Sequence, residues 1–316
     1  MKYPMKLLPS VKDYVWGGTK LKSEWGKLSL SDTIAESWEL SCHKDGQCII
    51  AGGMYEGKTL AEVLDANPDY KGSRCDGFDF FPILIKLIDA RSNLSIQVHP
   101  GDEYALAHEG QYGKTEMWYI VEADDGAGVY CGFKSGDMSK QEVVDILNHG
   151  KITDYLNFIK VSKGDVIFIP SGTVHAICGG LLICEIQQNS SLTYRLYDYD
   201  RVDKSGNKRQ LHIDKAVDVI DYKSVCVKNS GVKSVGESVR ELASCKYFDV
   251  NELSIKGSYC VDVTDSFVSL TAVEGCGYIA YSDVRYEINK GETYFLPAGV
   301  GRVEIIGQLK LISAKI

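Results

Sequence analysis

The sequence carries an internal echo: Lys163-Gly-Asp-Val-Ile-Phe-Ile-Pro-Ser-Gly172 returns as Lys290-Gly-Glu-Thr-Tyr-Phe-Leu-Pro-Ala-Gly299. Each copy spells a glycine turn, an alternating strand and a Pro-x-Gly turn. Upstream, Tyr119-Ile-Val-Glu-Ala123 is matched in the same way by Leu270-Thr-Ala-Val-Glu274. A strand-turn unit cannot bury its apolar face alone, so a duplicated one constrains the chain to two packed β-units. Turn residues elsewhere fall roughly every eight to twelve positions, between segments rich in Val, Ile, Tyr and Phe. Residues 81–88, 115–121, 165–169 and 181–186 are the clearest predicted strands. Helical periodicity is confined to Leu60–Ala66 and an insertion over 136–158, where 139–148 and 152–158 place apolar residues at three- and four-residue steps. The expected fold class is mainly all-β, two β-barrels in tandem with a few short helices.

The copies differ where chemistry is concerned. Continuing the alignment past each closing glycine sets Arg302 opposite His175, and no histidine follows residue 212. The second unit is therefore expected to be a metal-free structural partner. The polar stretch 228–237, with Gly231, Gly236, Ser230 and Ser234, reads as the linker. Expected boundaries are 1–230 for the first domain and 231–316 for the second.

A net charge of −8 lacks the basic excess of a nucleic-acid binder. The opening Met-Lys-Tyr-Pro-Met-Lys breaks its apolar run with Pro and Lys, and no stretch approaches the ~18 apolar residues of a membrane span. A soluble, cytoplasmic chain acting on a small molecule is expected, with no nucleic-acid or membrane partner and no oligomeric state specified. The 10 cysteines include no Cys-x-x-Cys pair and are read as reduced, partly buried thiols.

Residues two apart on a strand share a face, so Gln97 and His99 can point inward together, as can Lys114, Glu116 and Trp118. His175, just past a Pro-Ser-Gly turn, offers a second imidazole. Two imidazoles, a carboxylate and an amide suit Zn²⁺, with Fe, Mn, Co or Ni chemically possible, and four protein ligands leave room for water or substrate. His43, His108, His149 and His212 have no comparable setting and are read as surface or structural histidines. Lys86 interrupts the apolar run Pro-Ile-Leu-Ile-Lys-Leu-Ile, where a charge is costly unless paired or used. Trp16 and Trp38 are expected to pack the N-terminal strands.

Gln97-Val-His99-Pro100 after Asn93-Leu-Ser-Ile96, Lys114-x-Glu116-Met117 and Gly-Thr-Val-His175-Ala-Ile together resemble the type I mannose-6-phosphate isomerases of the cupin superfamily. Further landmarks stand in family order: Val15-Trp-Gly-Gly-Thr-Lys-Leu21, Glu36-Ser-Trp-Glu39, Lys86, Glu185-x-x-x-Asn189-Ser190 and Thr193-Tyr-Arg195. The likeness is dense over roughly residues 10–215. It implies cupin-like jelly-roll barrels and an isomerase of D-mannose 6-phosphate and D-fructose 6-phosphate. It also implies one zinc ion per chain on Gln97, His99, Glu116 and His175, with Lys86, Lys114, Glu185 and Arg195 lining the active site. Thr115 stands where the family often has proline, and the 136–158 insertion is too short for the helical domain of larger members. Where those members carry a lysine thought to meet the phosphate, this chain has Arg201; Ser95 and Asp198 complete the expected substrate-binding set.

Moving a carbonyl between adjacent carbons demands stabilised negative charge on oxygen and a base in reach of the carbon-bound proton. A metal with Lys114 or Arg195 could meet the first demand. Glu185 and Lys114, with Asp198 and metal-bound water behind them, are candidates for the second. A non-catalytic sugar-phosphate-binding cupin is the alternative, and an iron-dependent cupin dioxygenase fits Gln97 and the basic cavity less well.

Overall fold

The computed structural model describes residues 1–136, 138–148, 152–202 and 206–316. His149 lies outside them, as does part of the 136–158 insertion. Three large sheets make up the fold. A six-stranded antiparallel sheet runs, in spatial order, Val166–Ile169, Glu116–Ala123, Leu181–Gln188, Ile83–Ala90, Glu36–Leu40 and Ser10–Lys12. A five-stranded sheet orders Leu156–Lys160, Gly128–Phe133, His175–Ile177, Ile96–Val98 and Tyr194–Tyr197. The third, nine-stranded sheet holds the C-terminal strands, and Met5–Leu8 and Ile49–Ile50 add to its edge by pairing through Thr293–Leu296. The mainly β, cupin-type architecture agrees with the sequence reading.

The six-stranded sheet is buried on both faces, which is why Ile83–Ala90 and Leu181–Gln188 read as unbroken apolar runs. Ile83, Ile85, Leu87, Met117, Tyr119, Cys184 and Ile186 share one core with Phe295 of the C-terminal sheet and with Phe248 and Phe267, which flank its strands. The alternate residues Ile88, Ala90, Trp118, Ile120 and Ile183 pack against Val129, Cys131 and Ile177 of the five-stranded sheet. Helices Lys140–Asn148 and Ile213–Val219 cover that sheet's outer face through Val143, Ala216 and neighbours. No helix of the described residues is long and apolar enough to cross a membrane.

The sequence echo has a structural counterpart. Gly164 and Gly291 each take φ +86°, and Gly172 and Gly299 are left-handed as well. The intervening strands pair antiparallel with the two upstream echoes. Arg302 sits exposed, its guanidinium 3.1 Å from Cys260 Sγ.

Leu60–Ala66 forms the expected helix, held by a Thr59/Glu62 capping box. Residues 152–158 do not continue as helix. Only Ile152–Tyr155 makes a 3₁₀ turn, and Leu156–Lys160 is a strand beside Gly128–Phe133. There the apolar spacing serves two faces of an edge strand, Leu156 in one core and Ile159 against another. Helices Asp102–Glu109 and Ile213–Val219 were not anticipated.

The reading of all cysteines as free thiols is corrected: Cys131 and Cys226 form a disulfide with Cα atoms 5.7 Å apart. Gly132 and Val225 make an isolated antiparallel bridge, which sets the flanking cysteines side by side. Gly132 permits that approach, since a Cβ there would lie 2.5 Å from the Ser224 carbonyl oxygen. With the cysteines 95 positions apart in sequence, reduction is expected to lower stability by about 2–4 kcal/mol. Thermal melts with and without dithiothreitol, on wild type and Cys226→Ser, would show it. Identical melting temperatures throughout would mean the bridge contributes nothing.

Candidate metal centre and basic pocket

Register sets the site. On the six-stranded sheet, Trp38, Lys86, Glu185 and Trp118 are consecutive cross-strand partners, a row projecting from the face opposite the C-terminal sheet. On the five-stranded sheet, Cys131, His175, Gln97 and Arg195 form another such row. Where the sheets meet, the Trp118 and His175 rings pack edge-to-face at 5.5 Å. His99 and Lys114 lie just outside their strands and are tied together by the Lys114 N–H donating to the Pro100 carbonyl at 2.9 Å.

Three potential ligands converge completely buried. One ligand atom each of His99, Glu116 and His175 lies within 4.8 Å of the others. His175 Nε2 is 3.5 Å from Glu116 Oε1, and His99 Nε2 is 3.6 Å from Glu116 Oε2. The Gln97 amide lies 3.4 Å from His175 Nε2, and a half-turn of its terminal torsion exchanges its nitrogen for its oxygen.

The donor set fits a cation. His175 Nδ1 donates to the Thr173 carbonyl at 2.8 Å, which fixes Nε2 as the unprotonated nitrogen. A lone pair therefore faces Glu116 Oε1, itself buried without a hydrogen-bond donor among the described residues. Burial first, then Lys114, holds His99 well below the usual histidine range, and burial lowers His175 to about 4 despite the Thr173 carbonyl. Both imidazoles are thus neutral, as ligation requires.

Charges alternate across the floor of the pocket. Glu36 lies 3.8 Å from Lys86 Nζ, which is 3.2 Å from Glu185 Oε1. Glu185 is 3.7 Å from Lys114 Nζ, and that ammonium is 2.7 Å from Glu116. Taking an ammonium out of water costs several kcal/mol unless it is compensated. Lys86, buried, has that compensation: Glu36 and Glu185 outweigh the burial that would depress it, and it stays above the ordinary lysine range. Burial raises Glu185, but Lys114, Lys86 and the Trp118 indole N–H, donating at 2.9 Å, pull it down to about 2. Glu116 moves the other way, to about 7, through burial and then Glu185, against the pull of Lys114.

Above this floor opens a pocket of about 260 Å³. Gln97, Lys86, Lys114, Glu185, Ser95 and Arg195 all line it. Arg195 Nε donates to Ser95 Oγ at 3.3 Å, and its Nη1 donates to the Gln210 carbonyl at 2.8 Å. Arg201 and Asp198 do not line the pocket. The Arg201 guanidinium is spent on Asp198 and on the Asn93 carbonyl, to which it donates at 2.5 Å, and Asp198 is held between Arg201 and Arg209. Arg209, Glu36 and Tyr14 line the wall instead and were not singled out as site residues. Trp16 and Trp38, expected only to pack strands, also wall the pocket, with Trp38 5.3 Å beneath the Lys86 ammonium. Glu36 stood within a recognised segment, while Arg209 had no signal beyond its basic character after the Gly206 turn. Among the other histidines, His43 stacks edge-on to Trp38, His108 lies on Tyr104, and His212 Nδ1 accepts from the Arg195 backbone N–H.

Fold and site together define a cupin-type protein with a candidate metal centre beneath a basic pocket. Comparison with known proteins narrows the class. Residues 5–122 match the phosphomannose isomerase type I catalytic domain, and residues 238–316 match the mannose-6-phosphate isomerase cupin domain. The chain is 37% identical over 312 residues to mannose-6-phosphate isomerase ManA of Bacillus subtilis, covering 98% of each. It is 35% identical over 315 residues to mannose-6-phosphate isomerase of Streptococcus mutans, covering 99% of this chain and 98% of the relative. The solved mannose 6-phosphate isomerase from Bacillus subtilis matches 100% of both chains with a TM-score of 0.92 at 35% identity. This chain belongs to the type I mannose-6-phosphate isomerase family.

Proposed function

We propose that this protein is a zinc-dependent isomerase that interconverts D-mannose 6-phosphate and D-fructose 6-phosphate by proton transfer through a cis-enediol. The observation that carries the reading is the unbroken contact series from the His99, Glu116 and His175 cluster through Lys114 and Glu185 to Lys86, at the base of a pocket that arginines close. Residues 1–230 hold this machinery, with residues 231–316 as its structural support. The apolar contact of Phe267 and Phe295 with the catalytic sheet is consistent with that division.

Gln97, His99, Glu116 and His175 would hold one zinc ion. When bound, it supplies Lewis acidity toward oxygens of the sugar. Glu36, Glu185 and, beneath the pocket, Glu116 face two ammonium groups, so a divalent cation would make the local field more positive, as suits an anionic substrate.

The chain's own groups account for the proton movements. Lys114 is placed to stabilise negative charge as it develops on the carbonyl oxygen, and a fixed donor in a water-poor site needs little reorganisation to do so. Glu185 takes the proton from the carbon beside the carbonyl and returns it one carbon away. It is ionised at any working pH, but a carboxylate at about 2 is a weak base. Its weakness comes from Lys114 and Lys86. As substrate oxygens draw either ammonium away, the carboxylate loses that stabilisation and becomes more basic. Lys86, held by Glu36 and Glu185, positions the carboxylate and can donate to a sugar hydroxyl. Ser95 keeps Arg195 aligned.

The test is a coupled assay for fructose 6-phosphate formed from mannose 6-phosphate by zinc-replete protein. Turnover within the common enzyme range of roughly 1–10³ s⁻¹ is expected. Substrate binding without product would replace this reading with a non-catalytic sugar-phosphate-binding cupin.

A further inference from the structure

We propose that Arg209 acts with Arg195 as the clamp for the substrate's phosphate group, while Arg201 serves as the brace that holds Asp198 behind it. The inference rests on the phosphosugar reading above and assigns the anion-binding end of that pocket.

Three guanidinium groups gather in one corner of the fold, and what each does with its nitrogens separates them. Arg201 has no fork left to offer. Its Nε donates to the Asp198 carbonyl at 3.2 Å, its Nη1 to the Asn93 carbonyl, and its Nη2 to the Asp198 carboxylate. Its guanidinium also lies 5.3 Å from the centre of the Tyr199 ring, and it is absent from the pocket wall. Arg209 differs on each count. Asp198 takes its Nε, at 2.7 Å, and its Nη2, which leaves Nη1 with no hydrogen-bond partner among the described residues. Arg195 is similar: Ser95 and Gln210 occupy Nε and Nη1, and Nη2 has no such partner. Both arginines line the same pocket, together with Tyr14, Ser191 and Thr193.

The charge count points the same way. Among the described residues, Asp198 is the one carboxylate paired with this corner's guanidinium groups, so three positive charges meet one negative charge there. The acid on the same wall, Glu36, is engaged by the Trp38 indole N–H at 2.7 Å and lies 3.8 Å from the Lys86 ammonium. The excess of two positive charges matches a phosphate monoester, which carries roughly −1.5 to −2 at neutral pH. The Arg195 guanidinium is itself pushed below its ordinary range by burial and then by Arg209, the mutual repulsion that an anion between them would relieve. Asp198, fixed by Arg201, aims Arg209 by binding it through two nitrogens, so the fork is oriented before ligand arrives.

Arg209→Gln and Arg209→Lys, each zinc-loaded, should be compared with wild type and Arg201→Gln in three measurements. These are KM and kcat with mannose 6-phosphate, competitive inhibition by inorganic phosphate, and calorimetric titration with inorganic phosphate, which needs no turnover. Arg209→Gln is expected to raise KM and the phosphate inhibition constant together by at least tenfold at an unchanged melting temperature, with kcat within threefold. Arg209→Lys should recover part of the loss, because the charge returns without the fork. Phosphate affinity within twofold of wild type in Arg209→Gln, or a larger loss in Arg201→Gln than in Arg209→Gln, would overturn the assignment. A wild-type protein that binds phosphate through Arg209 yet forms no fructose 6-phosphate would support the clamp and overturn only the isomerase reading.

Discussion

Replacing His99 by alanine is expected to abolish metal binding and isomerase activity together. The imidazole is 1% exposed and its Nε2 faces Glu116 at 3.6 Å, so its loss leaves a buried gap in the candidate ligand cluster. Loss of a group that merely supports a ligand costs about 10–100-fold in metal affinity, and loss of the ligand itself should exceed about 100-fold. A second effect compounds the first. Lys114 Nζ lies 3.2 Å from His99 Nε2 and 2.7 Å from Glu116, and with the ligand gone this ammonium can settle fully on the Glu116 carboxylate. The cation would then have to displace an ion pair from a three-ligand remnant. Metal content by plasma emission spectrometry and turnover on the same sample should fall in parallel. Full activity in metal-free His99→Ala protein would remove the metal from the mechanism and sink the site assignment.

Glu185→Gln should produce the second large effect, a fall in kcat of about 10²–10⁴-fold with metal content preserved. The amide oxygen can still accept from the Trp118 indole, so side-chain orientation survives. Each lysine also retains a second carboxylate, Lys86 keeping Glu36 and Lys114 keeping Glu116, and the buried ammonium groups are not stranded. What disappears is the proton acceptor between them. Exchange of the substrate's C2 hydrogen with solvent deuterium should fall with kcat if Glu185 is the base. A variant that turns over and exchanges like wild type would transfer the role to Lys114, the other pocket group within reach.

Much of this site could be read from spacing because it is built on alternation. Residues two apart on a strand share a face in any fold, so Lys86, Trp118 and Glu185 belong on the polar side of a sheet whose other side is Ile85, Leu87, Met117 and Ile186. The same rule placed Gln97 with His99, and the structure brings Gln97 to His175 and gathers His99, Glu116 and His175. The duplicated glycine turns were legible too, since their left-handed φ is a demand that the local chain imposes on its own residues.

Other features had no local signature. Arg201 and Arg209 are both arginines in a Tyr- and Asp-rich loop, and only the position of Asp198 between them decides which one meets the pocket. Cys131 and Cys226 became partners through a bridge between Gly132 and Val225, and Met5–Leu8 joined the C-terminal sheet through its register with Thr293–Leu296. The sequence by itself determined the β character, the repeated strand-turn unit and the alternation that sets Gln97 with His99 and Lys114 with Glu116, because each depends on neighbours within a few residues. Only the tertiary structure decided the disulfide, the pairing of the N-terminal strand, the meeting of His99, Glu116 and His175, and which arginines line the pocket. Those depend on which distant segments lie side by side, and a one-residue slip in register would have reassigned every one of them.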